Sequence, residues 1–243
     1  NLLLELSPHR LLAMPVVLLI GLLFAYSAGG ESNGARAVAW SALGLFGLLT
    51  IFWGTQLAIG AVVDEFRDKT WDAQRLSAQS PWTLAWGKLL GCTVSAWYGG
   101  AICLPGFLIA SWIDPSGSPA GRYPVALALL MAGVALLMQA LGMLVALSLP
   151  RVGQRRSSFS ILLLLFLLFL GWPLTTWLRQ SEILRWWGLP WQSAWFGVLN
   201  SWLFAAWAVT GVYRTQCTEL QVRTVPTAWL GFAAFLIFYF AGF

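Results

Sequence analysis

The chain has 243 residues, of which 59% are hydrophobic and only 9% are charged, against roughly 25% charged residues in soluble domains. In water such a chain would expose large apolar patches, so its composition excludes a soluble protein and predicts an all-α, polytopic membrane protein. The net charge of +5 is spread along the loops, and we therefore expect no nucleic-acid partner.

Seven uncharged apolar stretches follow in chain order, each long enough to cross a bilayer as a helix of roughly 20 residues. They cover residues 11–28, 38–63, 89–113, 123–149, 159–177, 194–213 and 225–243. We expect a single transmembrane domain over residues 1–243 with six to seven spans. Because the chain starts with Asn1 and stops inside an apolar run, we also expect it to be truncated at both ends.

The positions of Lys and Arg predict the orientation. An N-terminus on the inside places ten of the 14 basic residues on the cytoplasmic side and leaves Arg36, Arg122, Arg179 and Arg185 outside. Positively charged loops prefer the cytoplasm, so this orientation is favoured. We expect a multi-pass protein of the bacterial inner membrane, in contact with membrane lipid.

Residues 64–88 carry the one dense block of charge, eight of the 23 charged residues, between the second and third spans. Charge is costly in lipid, so this block lies in water or at the interface. On a helix, Asp64, Asp68 and Asp72 would share one face, and Arg67, Trp71 and Arg75 another. We predict a short surface helix that docks a partner. The alternatives are a plain solvated face and a metal site, and the metal site is disfavoured because neighbouring basic residues can neutralise the acids.

Ser80 and Pro81 mark the start of a further helix. Serine is a favoured N-cap residue, and proline suits the first helical position because its missing N–H would be unpaired there. We expect this helix to run through Trp82, Trp86 and Lys88 into the third span. The coupling element, residues 64–82, would then be a surface helix followed by a corner.

The segment 178–193 mixes charged residues with many apolar and aromatic ones. Tryptophan favours the headgroup level of a membrane, and an amphipathic helix can lie there in the membrane plane. We expect one or two interfacial or re-entrant helices on the outer side after span five. A plain loop with a belt of tryptophans is the alternative.

Few side chains inside the spans could contact a cargo. Intramembrane charges usually mark ion and proton paths, and the spans carry almost none, which disfavours an ion channel or proton-coupled pump. Mildly polar and aromatic groups suit an amphipathic or lipid-like cargo, and we name as candidates for a substrate pathway Trp53, Thr55, Gln56, Gln139 and Asn200. Helix packing is the competing role for each of them.

Metal and nucleotide chemistry find little support in the sequence. The three cysteines have no metal-type spacing, and His9 is the single histidine, so we expect no catalytic residue, metal site or cofactor on this chain. The phosphate-binding pattern G-x-x-x-x-G-K-[ST] is absent, since Gly87-Lys88 is followed by Leu89.

The string E-x-R-x-K-T-W-D-x-Q-R-L-S-x-x-S-P-W, followed by G-K-L-L, resembles the cytoplasmic element of ABC-2 type transporter permeases. The matching positions are Glu65, Thr70, Leu76, Pro81, Gly87 and Lys88. The resemblance covers about 30 residues, and the topology agrees with it. The chain departs from the family in Lys69, where a glycine is usual, and in its count of seven stretches, where six spans are usual.

The resemblance implies a permease subunit of an exporter with a coupling helix in the groove of a separate ATPase subunit, which binds ATP and Mg²⁺. A second permease copy or a sister permease would complete the transporter. The coupling residues would be Glu65, Arg67, Thr70, Trp71, Asp72, Arg75, Leu76, Ser80, Pro81, Gly87 and Lys88. A membrane scaffold for a cytoplasmic partner and a lipid-modifying membrane enzyme remain the alternative functions.

Overall fold

The computed structural model describes residues 8–68, 80–114, 119–148, 183–222 and 226–243. The helical segment Pro8–Gly47 is broken at Gly30 and continues through a π-helical turn, Leu48–Trp53, into helix Gly54–Arg67. Its two membrane-crossing parts are α1 (Leu12–Gly30) and α2 (Asn33–Arg67). The other elements are α3 (Pro81–Gly91), α4 (Val94–Ile113), α5 (Pro119–Arg122), α6 (Pro124–Ser148), β1 (Ile183–Trp186), β2 (Leu189–Gln192), α7 (Ser193–Glu219) and α8 (Thr227–Ala241).

Five helices in the described part of the chain, α1, α2, α4, α6 and α7, are long and apolar enough to cross a membrane. They fall on five of the seven predicted spans, so the all-α, multi-pass class is confirmed. The predicted span 159–177 lies outside the described residues. The last stretch holds α8, whose 15 residues extend about 22 Å, less than the roughly 30 Å of a hydrocarbon core. The count of six to seven spans stays a prediction.

A tight turn at Gly30 connects α1 to α2. Gly30 has a φ of 66°, in the left-handed region that glycine adopts without steric cost. The two helices also lie close together at Gly34, where an added Cβ atom would come within 2.8 Å of the Tyr26 ring of α1. The helices on either side of this turn therefore run in opposite directions.

The predicted span 89–113 is interrupted near its start. Helix α3 ends at Gly91 and α4 begins at Val94, with a turn between them. The Thr93 hydroxyl donates to the Leu89 carbonyl at 2.7 Å, which satisfies a carbonyl at the break. Helix α3 is therefore a separate element of 11 residues that precedes α4.

The prediction of interfacial helices over 178–193 is wrong for the described residues 183–192, which form an antiparallel hairpin. Its turn residues Trp187 and Gly188 have φ values of 53° and 72°, the two positive values that a type I′ turn requires. A helix would have to accommodate Gly188 and Pro190, at about 1 and 3 kcal/mol relative to alanine. The hairpin avoids both costs. Residues 178–182 lie outside the described part.

The hairpin and the end of α8 are joined at one end of the bundle. The Trp187 N–H donates to the Gly242 carbonyl at 2.8 Å, and the Trp186 indole donates to the Tyr239 carbonyl at 3.1 Å. Helix α7 starts directly after the hairpin, and its 27 residues extend about 40 Å to the opposite end. We call these the hairpin end and the α3 end.

Two of the apolar clusters in the described residues lie toward opposite ends of the bundle. The cluster at the hairpin end joins α1, α2, α4 and α6 around Phe107 and Leu127. The cluster at the α3 end joins α2, α3, α6 and α7 around Val62, Leu89 and Met143. Both clusters are built largely from alanine and other small or branched residues, which let helices approach closely in lipid. Helix α3 is thus part of the packed bundle.

Candidate functional site

The corner at Ser80 and Pro81 has the predicted capping geometry. Ser80 is extended, with φ −71° and ψ 145°, and its side chain accepts a hydrogen bond from the Thr83 backbone N–H at 3.1 Å. Pro81 occupies the first turn of α3. The predicted N-cap and helix start are therefore confirmed, and the chain enters α3 with a fixed direction.

An ion pair connects the end of α2 to α3. Lys88 Nζ lies 2.5 Å from Glu65 Oε2, and the side chains are 9% and 24% exposed, respectively. The pair is 23 residues apart in sequence and sits beside the apolar cluster at the α3 end. A charge-assisted bond in a partly dry environment is stronger than one in water. It therefore fixes α3 against α2.

Helix α3 also makes apolar and aromatic contacts. Ala85 and Leu89 are almost completely buried and face the cluster shared with α2, α6 and α7. On a neighbouring face, the Trp82 ring lies 5.4 Å from the Tyr213 ring of α7, edge to face. Edge-to-face aromatic pairs add stability beyond their buried area. A displacement of α3 would therefore move the three spans that it contacts, α2, α6 and α7.

One face of α3 stays open to the surroundings. Ser80, Thr83 and Gly87 are exposed and recur at three- and four-residue spacing, which places them on one side of the helix. A Cβ atom at Gly87 would meet nothing within 4 Å. Packing within the described residues thus gives no reason for a glycine here, although a glycine inside a helix costs roughly 1 kcal/mol relative to alanine.

The predicted surface helix begins differently from what we expected. Residues 64–67 are the last turn of α2, and the helix ends at Arg67, with Asp64, Arg67 and Asp68 exposed. Within the described residues Glu65 bonds to Lys88, and its contact with a partner surface stays a prediction. The other predicted coupling residues Thr70, Trp71, Asp72, Arg75 and Leu76, together with Lys69, lie outside the described residues.

A second polar contact lies near the middle of the bundle. Gln139 of α6 is fully buried; its amide nitrogen donates to the Thr50 carbonyl at 2.8 Å, and its amide oxygen accepts from the Trp97 indole at 3.2 Å. Thr50 lies in the π-helical turn of α2. Gly54 permits this approach, because a Cβ atom there would collide with the Gln139 amide.

The candidate pathway residues lie in different environments, and their role in a pathway stays a prediction. Thr55 is buried and donates to the Ile51 carbonyl of its own helix, while Trp53 is exposed on the outside of the bundle. Gln56 is partly buried on the same helix. Asn200 lies on α7, where its amide nitrogen donates to the Phe196 carbonyl at 2.7 Å and its buried oxygen has no partner among the described residues.

Sequence reasoning did not predict the two pairings that the structure reveals. Glu65 and Lys88 were named separately, and their pairing could have been suspected because they are opposite charges at the facing ends of two consecutive spans. Nothing in the sequence marked Trp97 as a partner of Gln139, apart from the position of both residues inside predicted spans. Within the described residues, no group of three or more His, Cys, Asp or Glu side chains could hold a metal ion.

Comparison of the chain with protein-family models, with curated proteins and with solved structures finds no match. The fold itself defines a multi-pass, all-α membrane protein with a capped helix, α3, packed at one end of its spans.

Proposed function

We propose that this chain is a transmembrane permease subunit of an ABC-2 type exporter in a bacterial inner membrane. The observation that carries the proposal is α3, which begins within the charged block and has a fixed start, an ion pair to α2 and an open outer face. The motif resemblance of residues 65–88 supports the same assignment. ATP and Mg²⁺ would be bound by a separate ATPase subunit.

In the proposed mechanism, the ATPase dimerises on ATP and moves the coupling element, residues 64–82. The corner at Ser80 and Pro81 directs this motion into α3. Because α3 contacts α2, α6 and α7 through Leu89, Trp82 and the bond from Lys88, all three spans receive the displacement. A second permease copy or a sister permease completes the pathway between the inward-open and outward-open states.

Arg67, Trp71 and Arg75 would contact the ATPase, with Asp72 pairing on the same surface. Glu65 would act from inside the subunit, by holding Lys88. The position of Glu65 supports this division of roles: its carboxylate bonds to Lys88 of α3 and its side chain is only 24% exposed, whereas Arg67 is exposed at the end of α2.

An amphipathic or lipid-like cargo suits this chain best. The described spans bury mild polar groups such as Gln139 and Thr55, which are hydrogen-bonded within the bundle, and a charged or strongly hydrated cargo would find few partners there. ATP turnover of the complex should therefore rise with a lipid-like amphiphile. A passive membrane scaffold, the alternative function, would show no such rise, and a lipid-modifying enzyme would act on its substrate without any ATPase.

The test is co-purification from mild detergent, followed by ATPase measurement. A protein with a phosphate-binding loop should co-purify with the intact chain, and Trp71→Ala combined with Arg75→Glu should release it. Trp229→Ala combined with Arg185→Glu is the matched control, because both of those side chains are exposed and lie on other elements. If the ATPase remains bound and turns over normally in the first variant, the docking assignment is wrong.

A further inference from the structure

The middle turn of helix α2 contains one residue more than an α-helical turn would, and we call it the surplus residue. Residues Leu48–Trp53 are π-helical, and the N–H of Gly54 bonds to the carbonyls of Leu49 and Ile51. In an α-helix that N–H would bond to the Thr50 carbonyl, four residues before it. Here the Thr50 carbonyl accepts from Gln139 instead. An external amide therefore occupies the site that the α-helical bond would use.

The surrounding side chains hold this amide in one orientation. An indole N–H can only donate, so the Trp97 bond at 3.2 Å fixes the Gln139 oxygen toward α4 and leaves the amide nitrogen facing Thr50. The Thr50 hydroxyl donates to the Phe46 carbonyl and is engaged within its own helix. The π-helical turn is thus stabilised by a partner on another span and is not a property of α2 alone.

The register of this turn decides where the lower part of α2 points. If the turn relaxed to α-helical geometry, the surplus residue would pass into the helix below and rotate it by about 100°, the angle of one residue. Glu65 lies about three turns below Gly54 on that part. After such a rotation its carboxylate would face away from Lys88.

We propose that α2 has two registers and that the Gln139 amide selects between them. In the π register Glu65 holds Lys88 and α3 is fastened to α2; in the α register that bond is broken and α3 is released. The middle of the membrane and the α3 end would thereby be coupled through a single helix. π-helical turns of this kind are found at functional positions in other proteins. The inference rests on the contacts of α2 and stands whether or not an ATPase docks beneath it.

The experiment measures cross-linking by a short bifunctional maleimide between cysteines placed at positions 65 and 88, in membrane vesicles containing the full chain without other subunits. The background carries alanine at Cys92, Cys103 and Cys217. Gln139→Leu should lower the equilibrium ratio of the π register to the α register about tenfold, the shift expected when one hydrogen bond of about 1.4 kcal/mol to the π register is lost, and the initial rate of cross-linking should fall accordingly. Gln216→Leu is the matched control: Gln216 is equally buried, its amide has no hydrogen-bond partner in the described part of the chain, and cross-linking should be unchanged.

A deletion provides the decisive test of the two registers. Removing Leu48, an exposed residue of the π-helical turn, takes out the surplus residue, so α2 becomes α-helical without rotating its lower part. Deletion of Leu48 should therefore restore cross-linking in the Gln139→Leu background. Unchanged cross-linking in Gln139→Leu, or failure of the deletion to restore it in folded protein, overturns the proposal. If Gln139→Leu does not fold, Trp97→Phe, which removes only the orienting donor, must lower cross-linking for the proposal to stand.

Discussion

Replacing Lys88 by methionine removes the charge that faces Glu65 while keeping an unbranched side chain of similar reach. At 2.5 Å, two unit charges attract each other by roughly 6–7 kcal/mol for an effective dielectric constant of about 20. Most of this attraction is offset by desolvation of the two groups. Because Lys88 is nearly buried and Glu65 is partly exposed, the cost should fall between the limits of about 1 kcal/mol for a surface pair and about 3–5 kcal/mol for a buried one.

We expect Lys88→Met to cost about 2 kcal/mol, since it leaves the Glu65 carboxylate in a partly dry site without its cation. For a chain of this size that corresponds to a fall of roughly 4–8 °C in the midpoint of thermal unfolding. The measurement is a thermal scan of purified protein in one detergent at one scan rate, because membrane proteins often unfold irreversibly.

The control for this prediction is Asp64→Asn, which removes an exposed acid one residue away and should move the midpoint by no more than about 2 °C. The exchanged pair, Glu65→Lys with Lys88→Glu, should regain more than half of the loss. The reasoning is refuted if the exchanged pair is as unstable as the two single variants summed, since that result would mean that the charges do not interact.

Three further predictions concern local geometry and orientation. Ser80→Ala should cost about 1 kcal/mol by removing the N-cap of α3, and Ser80→Asp, which can still accept the Thr83 N–H, should restore stability in the same thermal scan. Gly188→Val should lower the unfolding midpoint, because a β-branched residue is strained at the φ of 72° found there, whereas Gly188→Asn should be tolerated. Cysteines at the exposed positions Thr83 and Ile183 should react with a membrane-impermeant maleimide from opposite sides of sealed vesicles; labelling of both from one side contradicts the topology.

Much of the helical framework could be predicted because lipid imposes a simple rule. A stretch of some 20 apolar residues must satisfy its backbone hydrogen bonds internally, so hydropathy alone located five helices that the structure describes. The start of α3 was equally local: Ser80 followed by Pro81 carries its own capping signal. These features depend on neighbours within four residues, and a sequence displays them directly.

Other features depend on partners far along the chain. The bond between Glu65 and Lys88 could not be predicted from spacing, because Lys69 stands at a favourable position on the same predicted helix as Glu65. The π-helical turn has no sequence signal in Leu48–Trp53, since its stabilising group comes from Gln139, nearly ninety residues later. The hairpin is a different case. The sequence contains Gly188 and Pro190, which disfavour a helix, but the aromatic and apolar content of the segment favoured the prediction of an amphipathic helix.

Two of the long-range polar contacts share helix α2, and this sharing constrains how the bundle can move. In lipid there is little hydrophobic drive for one apolar helix surface to prefer another, so polar contacts specify which register two helices adopt. Helix α2 has one such contact to α6, through Thr50 and Gln139, and one to α3, through Glu65 and Lys88. Sliding or rotation of α2 must therefore break both contacts or adjust the turn between them. The π-helical turn lies on the membrane-centre side of Glu65, so a change there moves the Glu65 end while the part of α2 before it can stay packed against α4. A motion that begins at α3 would reach the same turn from the opposite direction.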